Sequence, residues 1–320
     1  MRSIGQILVA VNDPETVTSP ALIKAGQLAR ALGARLELFH AIPPWPFPGD
    51  YGVPRVALQE IERKAHALIL TQLEKIAAQL RRRRIHVTVA VEWDRPAYEA
   101  IIRRAQHIKA DLIVAGQHTG DHTLAGLLRL TDWGLLRLAP MPVLLIKTPG
   151  GYRHPVVMAA IDPAHANSKP AQLDERILAA SSTLARALRG TLHALHAYVP
   201  FPLIEKPHLP LNRATLERLK VELAAAAGHG FERVLRTTKI PKADRHLIGR
   251  HPIDAIEQTA AEIHSSIVVM GAISRSGLRQ LFIGNTAEAV LDNLNCDVLI
   301  VKPAQFVSGV PSRRRGVRQR

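Results

Sequence analysis

The segment from Ile267 to Pro303, IVVMGAISRSGLRQLFIGNTAEAVLDNLNCDVLIVKP, decides the fold of this chain. An apolar, β-branched run ends at Gly271, a second glycine follows at Gly284, and another apolar run closes the segment. Asn285 and Thr286 come directly after Gly284 and are suited to begin a helix, whose unpaired N–H groups and positive dipole end attract anions. The order of strand, glycine turn, capped helix and strand predicts a parallel α/β protein with a phosphate site.

The chain contains this unit twice. At a shift of 155 residues, 112–116 falls on 267–271 and 142–147 falls on 297–302, and the register holds over about 35 positions without a gap. Near the start of each half, residues 8–12 match 158–162 at a slightly different offset. The period is too long for a solenoid and equals a common domain size, so the sequence predicts two tandem domains.

Each half alternates strand and helix patterns, which favours parallel strands joined by right-handed crossovers. The predicted fold class is α/β, with two tandem Rossmann-like domains that each contain a five-stranded parallel sheet flanked by helices. The predicted boundaries are residues 1–150 for the first domain, 151–306 for the second and 307–320 for a basic, disordered tail. Residues 148–152 form a short linker, so we expect the two domains to pair within the chain.

The composition of the 320 residues, 47% hydrophobic and 22% charged, is that of a folded globular protein. No apolar run reaches the roughly 20 residues of a membrane span, and the N-terminus passes directly into a strand pattern. We therefore expect a cytoplasmic protein without a membrane span. The single cysteine, Cys296, precedes a buried strand pattern, which favours a small core residue over a redox role.

The net charge is +15, and arginines cluster at residues 81–84 and in the tail at 313–320. A disordered basic tail can contact nucleic acid without specificity by neutralising phosphates. Only 4% of the chain is aromatic and none of it interleaves with the arginines, so a stacking platform for single strands is missing. The arginine clusters are thus interpreted as solvated surface, with nonspecific contact to nucleic acid as the alternative.

The spacing of Gly271, Ser274 and Gly284 resembles the signature G-x2-G-x9-G-(S/T) of the universal stress protein family, in its tandem-domain form. The resemblance implies an adenine nucleotide alpha hydrolase-like fold and a bound ATP or other adenine nucleotide, with no metal except nucleotide-bound Mg²⁺. Ser274 stands where the signature has glycine, so the loop can differ in shape. The residues that the resemblance assigns to the nucleotide lie in the second domain: Asp162, Gly271, Ser274, Gly284, Asn285 and Thr286.

The first half departs further from this signature. Thr119 occupies the place of the middle glycine, and Arg129 occupies the place of Gly284. A cationic side chain there would fill the space where backbone approaches phosphate, so the first domain is interpreted as a structural partner or the holder of a different ligand. A metal site built from the loop residues 118–122 lacks further ligands at firm spacing, and a polar loop explains them better.

No motif of an established catalytic site is present: the sequence lacks a P-loop, a dinucleotide-binding G-x-G-x-x-G after a strand, and a G-x-S-x-G elbow. The resemblance implies a stress-response protein that binds a ligand without turnover. Two alternatives remain open at this stage. The chain could hold an apolar or lipid-like ligand between its halves, or it could be a weak ATP hydrolase.

Overall fold

The structure is a computed structural model that describes residues 4–43, 55–116, 125–163, 172–200, 213–272, 290–291 and 293–311, with the backbone alone at 55 and 125–130. The chain divides into two compact units. The first unit comprises residues 2–151 and the C-terminal residues from Phe306, and the second unit comprises residues 152–305. The domain boundaries expected from the sequence stay predictions, although the structure assigns the chain after Gln305 to the first unit.

The first unit contains a five-stranded parallel sheet, as the sequence predicts, and its strands lie in the order β3-β2-β1-β4-β5. Its strands carry nearly continuous apolar runs, because helices cover a parallel sheet on both faces. The described elements are β1 (Gln6–Ala10), α1 (Pro20–Leu32), β2 (Arg35–Ile42), α2 (Arg55–Arg82), β3 (Val87–Trp93), α3 (Ala97–His107), β4 (Leu112–Gly116), α4 (Ala125–Leu138) and β5 (Val143–Ile146).

The second unit repeats this topology, with its strands in the order β10-β9-β6-β7-β8 and all pairs parallel. Both predicted sheets are therefore confirmed. The described elements are β6 (Val156–Ile161), α5 (Leu173–Ala187), β7 (Thr191–Tyr198), α6 (Arg213–Leu235), β8 (Arg245–Gly249), α7 (Pro252–Glu262), β9 (Ile267–Gly271) and β10 (Asp297–Val301).

Helix α1 shows how local sequence sets the ends of an element. The Ser19 hydroxyl accepts a hydrogen bond from the Leu22 N–H at 3.3 Å, and Pro20 occupies the first helical position, where its missing N–H costs nothing. Gly33 ends the helix in the left-handed conformation at φ 66°. These two caps fix the residues at which the helix begins and ends, and the apolar side of the helix packs on the sheet.

Two local expectations were wrong. The residue pattern predicts a helix over 212–226 at the position of α6. The helix instead continues to Leu235, since Ala227, Phe231 and Leu235 lie four residues apart and are all buried against the sheet.

The second error concerns the start of α3. The sequence around the start of this helix predicts Asp94 as its cap, but Pro96 occupies the N-cap and no side chain caps it. The Asp94 carboxylate instead accepts a hydrogen bond from the Arg103 guanidinium at 2.6 Å. An ion pair between two largely buried side chains outweighs a solvent-exposed capping bond.

The C-terminal segment packs on the first unit. The Ser308 hydroxyl donates to the carbonyl oxygen of Leu138 at 2.8 Å, and the Arg103 guanidinium donates to that of Pro311 at 3.4 Å. Residues 307–311 of the predicted tail are therefore attached to the first unit, and 312–320 lie outside the described residues. The buried Cys296 side chain confirms the interpretation of a core cysteine.

Candidate functional site

The candidate site lies at the carboxyl ends of β6 and β9 in the second unit. From β6 the chain proceeds through β7 to β8 on one side and then returns to β9 on the other side. Parallel pairing aligns Val157 with Ile267 and Ala159 with Val269, so both strands end at the same edge. This reversal of strand order opens the crevice in which open α/β sheets bind ligands.

Asp162 directly follows β6 and lies half-buried at this edge. Its backbone N–H donates a hydrogen bond to a carboxylate oxygen of Asp174 at 3.1 Å. Asp174 is buried in the first turn of α5, where the helix dipole favours a negative charge. Helix α5 thus fixes the backbone of Asp162 at the end of the strand.

Gly271 ends β9 at the same edge, and packing explains why it has no side chain. A Cβ atom at this position would lie 2.8 Å from a methyl carbon of Leu173 and 3.2 Å from one of Ile177, both on α5. The glycine lets α5 pack closely over the sheet. A contact between the Gly271 backbone and phosphate stays a prediction.

The structure places two of the six predicted nucleotide residues, Asp162 and Gly271, at the ends of neighbouring strands. The other four, Ser274, Gly284, Asn285 and Thr286, lie outside the described residues.

A buried histidine next to the strand end was missed by the sequence reasoning. His196 on β7 is fully buried, and its Nδ1 lies 3.3 Å from the carbonyl oxygen of Ile161. In the first unit the Nδ1 of His40 lies 2.7 Å from the carbonyl oxygen of Val11, and burial lowers the pKa of His40. A carbonyl oxygen can only accept, so in both units the imidazole N–H donates and ties the second strand to the end of the first.

An alignment of the two halves at a second offset, one residue longer than the first, could have revealed this histidine. Residues 31–40, ALGARLELFH, and 187–196, ALRGTLHALH, share Ala, two Leu and the final His at a shift of 156.

Cationic side chains reach the carboxyl end of the fifth strand in both units. The Lys24 ammonium on α1 donates to the carbonyl and hydroxyl oxygens of Thr148 at 2.8 and 2.6 Å. In the second unit the Arg176 guanidinium on α5 donates to the carbonyl oxygen of Lys302 at 2.9 Å. Lys302 follows β10 directly, is only 2% exposed, and has its pKa lowered to about 7 by burial.

The carboxyl edge of the first unit is closed by its own side chains. The amide nitrogen of Asn12, which follows the end of β1, donates to the carbonyl oxygen of Gly116 at the end of β4, at 3.1 Å. Asp13 accepts hydrogen bonds from the Glu15 N–H and the Thr16 hydroxyl, and these bonds lower the pKa of its carboxyl group. A carboxylate cannot donate, so Asp162 cannot reproduce the bond that Asn12 makes.

A model of the universal stress protein family matches residues 3–147 and 156–302. The chain belongs to the universal stress protein family. It is a tandem-domain member, since both halves match and relatives of the same organisation cover nearly all of it. It is 26% identical to universal stress protein E of Escherichia coli K12, over 95% of this chain and 96% of that protein. Identity to universal stress protein E of Photorhabdus laumondii is 27%, over 94% and 96%.

Solved structures of similar proteins share the fold over the same span. A functionally unknown protein from Pseudomonas aeruginosa PAO1 is 25% identical and superposes with a TM-score of 0.65 over 94% of each chain. A universal stress protein from Archaeoglobus fulgidus is 16% identical, with a TM-score of 0.59 over 94% of this chain and 97% of that one, which indicates the fold alone.

Among the described residues, no group of three or more His, Cys, Asp or Glu side chains is placed to hold a metal ion. The loop residues 118–122 lie outside the described part of the chain, so the expectation that they form no metal site stays a prediction. No helix in the described ranges is long and apolar enough to cross a membrane.

Proposed function

We propose that this universal stress protein binds one adenine nucleotide in its second unit and does not turn it over. The observation that carries the proposal is the difference between the two switch points. In the first unit an Asn12 amide joins the ends of β1 and β4, whereas in the second unit a carboxylate stands at the corresponding strand end. A carboxylate can accept hydrogen bonds from a ribose hydroxyl or an adenine amino group.

The phosphates would bind at the helix start formed by Gly284, Asn285 and Thr286, whose N–H groups are suited to anions. This assignment rests on the family signature in the sequence. Arg176 supports it, because its guanidinium reaches the same edge of the sheet at the end of β10. In the first half the residue at the Gly284 position is Arg129, which is incompatible with a close approach of backbone to phosphate.

The proposal is tested by calorimetric titration of the freshly purified protein with ATP and Mg²⁺. We expect one site per chain and no binding to Gly284→Arg. Asp162→Ala should weaken binding by about tenfold or more, because a hydrogen bond to a charged group is lost. Asn12→Ala and Thr119→Gly are the matched controls in the first unit, and both should leave the affinity unchanged.

The alternatives have distinct outcomes in the same samples. Two equivalent sites, or unchanged binding to Gly284→Arg, would contradict the assignment to the second unit. An absence of ATP binding, together with release of an apolar molecule on denaturation as detected by mass spectrometry, would favour the apolar-ligand hypothesis. Conversion of ATP to ADP by the wild type that Gly284→Arg abolishes would establish a weak hydrolase.

A further inference from the structure

An arginine-lined groove lies at the amino edge of the first sheet, on the side of the strands opposite to the carboxyl edge. It has a volume of about 600 Å³ and lies between the ends of α1 and α2 and the chain leading into β2 and β3. We call it the arginine groove. Its polar lining consists of Arg30, Arg35, Arg82, Arg83, Arg84 and His86.

Close helix packing brings these side chains together from three parts of the sequence. A Cβ atom on Gly26 of α1 would lie 3.1 Å from a methyl carbon of Leu80, so the absence of a side chain lets α1 approach the end of α2. There the Ile85 N–H donates to the carbonyl oxygen of Leu80, and Arg84 adopts φ 62°. This left-handed turn ends α2 and directs the chain from the arginines into β3.

The positive charge in the groove is not neutralised by neighbouring protein groups. Among the described residues, no acidic side chain forms an ion pair with any of its five arginines, and none lines it. The adjacent Arg81 differs, because its guanidinium donates to Glu74 at 2.7 Å and to the carbonyl oxygen of Val87 at 2.8 Å. The five groove arginines are all exposed and carry their charge into one concavity.

Two helix C-termini at the groove do not account for this charge. Each helix end carries roughly half a negative charge, about one unit for α1 and α2 together, against five guanidinium groups. A requirement of the helix ends would also apply to the second unit, which has the same topology.

The second unit shows that the fold does not need three of these arginines, whereas Arg186 and Lys239 keep a positive charge at the positions of Arg30 and Arg84. At a shift of 155 the buried Leu80 and Ile85 correspond to the buried Leu235 and Ile240. Between them, Thr237 and Thr238 occupy the positions of Arg82 and Arg83. Arg35 likewise corresponds to Thr191, at the shift of 156 found for β2.

We propose that the arginine groove binds a compact oligophosphate, an anion with several linked phosphate groups. Guanidinium groups bind phosphate oxygens through paired N–H donors, and five of them around one concavity match several phosphates at once. The volume is that of a small-molecule site. No phenylalanine, tyrosine or tryptophan side chain lines the groove, so its lining favours the charge of a phosphate chain over an apolar or nucleobase surface.

Titration with inorganic tripolyphosphate at about 0.15 M salt tests this site, because screening at that ionic strength suppresses diffuse attraction. We expect one tripolyphosphate per chain in the groove. The variant Arg35→Thr/Arg82→Thr/Arg83→Thr, which adopts the residues of the second unit, should bind at least about tenfold more weakly. The matched control Arg213→Gln/Arg233→Gln/Arg236→Gln loses the same three charges from exposed positions of the second unit and should keep wild-type affinity.

Each other outcome bears on the proposal. Equal weakening in both triple variants would show general charge attraction and overturn the groove. Displacement of tripolyphosphate by a single-stranded oligonucleotide of equal phosphate concentration, with tighter binding of the oligonucleotide, would assign the surface to nucleic acid instead. Gly284→Arg should retain tripolyphosphate binding, and a loss there would place the anion in the nucleotide site.

If the triple variant proves unfolded by circular dichroism, the single exposed Arg83→Thr replaces it, and unchanged affinity in Arg83→Thr would contradict the proposal.

Discussion

The two units of this protein share one topology and carry different residues at the edges of their sheets. At the carboxyl edge, the first unit joins its strand ends through Asn12 and Gly116, whereas the second presents Asp162. At the amino edge, the first unit carries the arginine groove, whereas the second has threonines at Thr237 and Thr238.

The comparison of the two units shows which residue positions the fold constrains and which positions can vary. Positions that repeat between the units, such as Leu80 with Leu235 and His40 with His196, lie in the interior or reach into it, and the two histidines make the same contact in each unit. Several positions that differ, such as Asn12 with Asp162 and Arg82 with Thr237, lie at the edges of the sheets, where a substitution changes charge and hydrogen bonding without disturbing the core. The edges are therefore where the two units can acquire different ligands.

The largest expected effect concerns Gly190, which corresponds to Ala34 in the first unit. A Cβ atom on Gly190 would lie 2.0 Å from the carbonyl oxygen of Pro155, which accepts the Thr191 N–H. Gly190→Ala must separate the starts of β6 and β7, so we expect the free energy of unfolding to fall by about 3 kcal/mol. Urea denaturation followed by circular dichroism measures it.

The matched variant Ala34→Gly removes a buried methyl group and should cost only about 1 kcal/mol. Equal losses in the two variants would show that the strand starts of the two units tolerate a side chain to the same degree, contrary to the structure.

The second prediction uses the buried Lys302, whose counterpart in the first unit, Lys147, is only half-buried. Burial lowers the pKa of Lys302 from 10.5 to about 7, so between these values the unfolded chain binds more protons than the folded chain. The free energy of unfolding should therefore rise with pH, by about 2 kcal/mol from about pH 7 to about pH 9, and the penalty for the buried charge is complete below about pH 7.

Lys302→Met should remove that rise, which urea denaturation at several pH values will measure. Lys147→Met, measured in parallel, corrects for the loss of one positive charge. A pH dependence in Lys302→Met that equals the wild-type dependence would contradict the assignment to this lysine.

The smallest expected effect compares the residues that end α1 and α5. Gly33 and Arg189 occupy corresponding positions, and both have left-handed backbones, with φ 66° and 55°. Arg189→Gly relieves the strain of a side chain in this conformation and should raise the free energy of unfolding by about 0.5 to 1 kcal/mol.

Gly33→Ala introduces the same strain into the first unit and should lower the free energy of unfolding by about 1 kcal/mol. A Cβ atom there meets nothing within 4 Å, so a steric clash does not confuse the result. Thermal unfolding of both variants checks the opposite signs, and a change of the same sign in both would contradict the explanation.

Much of the fold could be predicted from residue patterns. Short apolar runs predict strands at 143–146 and 156–161, and these are the bounds of β5 and β6, because both runs are buried and bounded by turns. The end of α6 could not be predicted, since the burial of Phe231 against the sheet offsets the cost of Gly228 and Gly230 inside the helix. Tertiary packing there overrides local propensity.

The candidate sites likewise contain some residues that the sequence predicts and some contacts that only the tertiary structure forms. The site roles of Asp162 and Gly271 stay predictions, which rest on the family resemblance and on their positions at the ends of recognisable strands. The packing of Leu173 against Gly271 was not foreseen, since it joins residues almost a hundred positions apart. The arginines at 81–84 were interpreted as solvated surface, and only their meeting with Arg30 and Arg35 makes them a groove.

The sequence by itself determined the family, the duplication and the alternation of strands and helices along each half, because these follow from periodic patterns of apolar residues and from glycine spacing. Each such pattern spans only a few consecutive residues and recurs in the second half, so it can be recognised from the sequence alone. Only the tertiary structure decided that Asn12 joins two strand ends, that Lys302 is buried, and that five arginines share one concavity. These properties arise where segments that are distant in the sequence meet. The hydrogen bonding, burial and local charge of each side chain depend on those neighbouring segments.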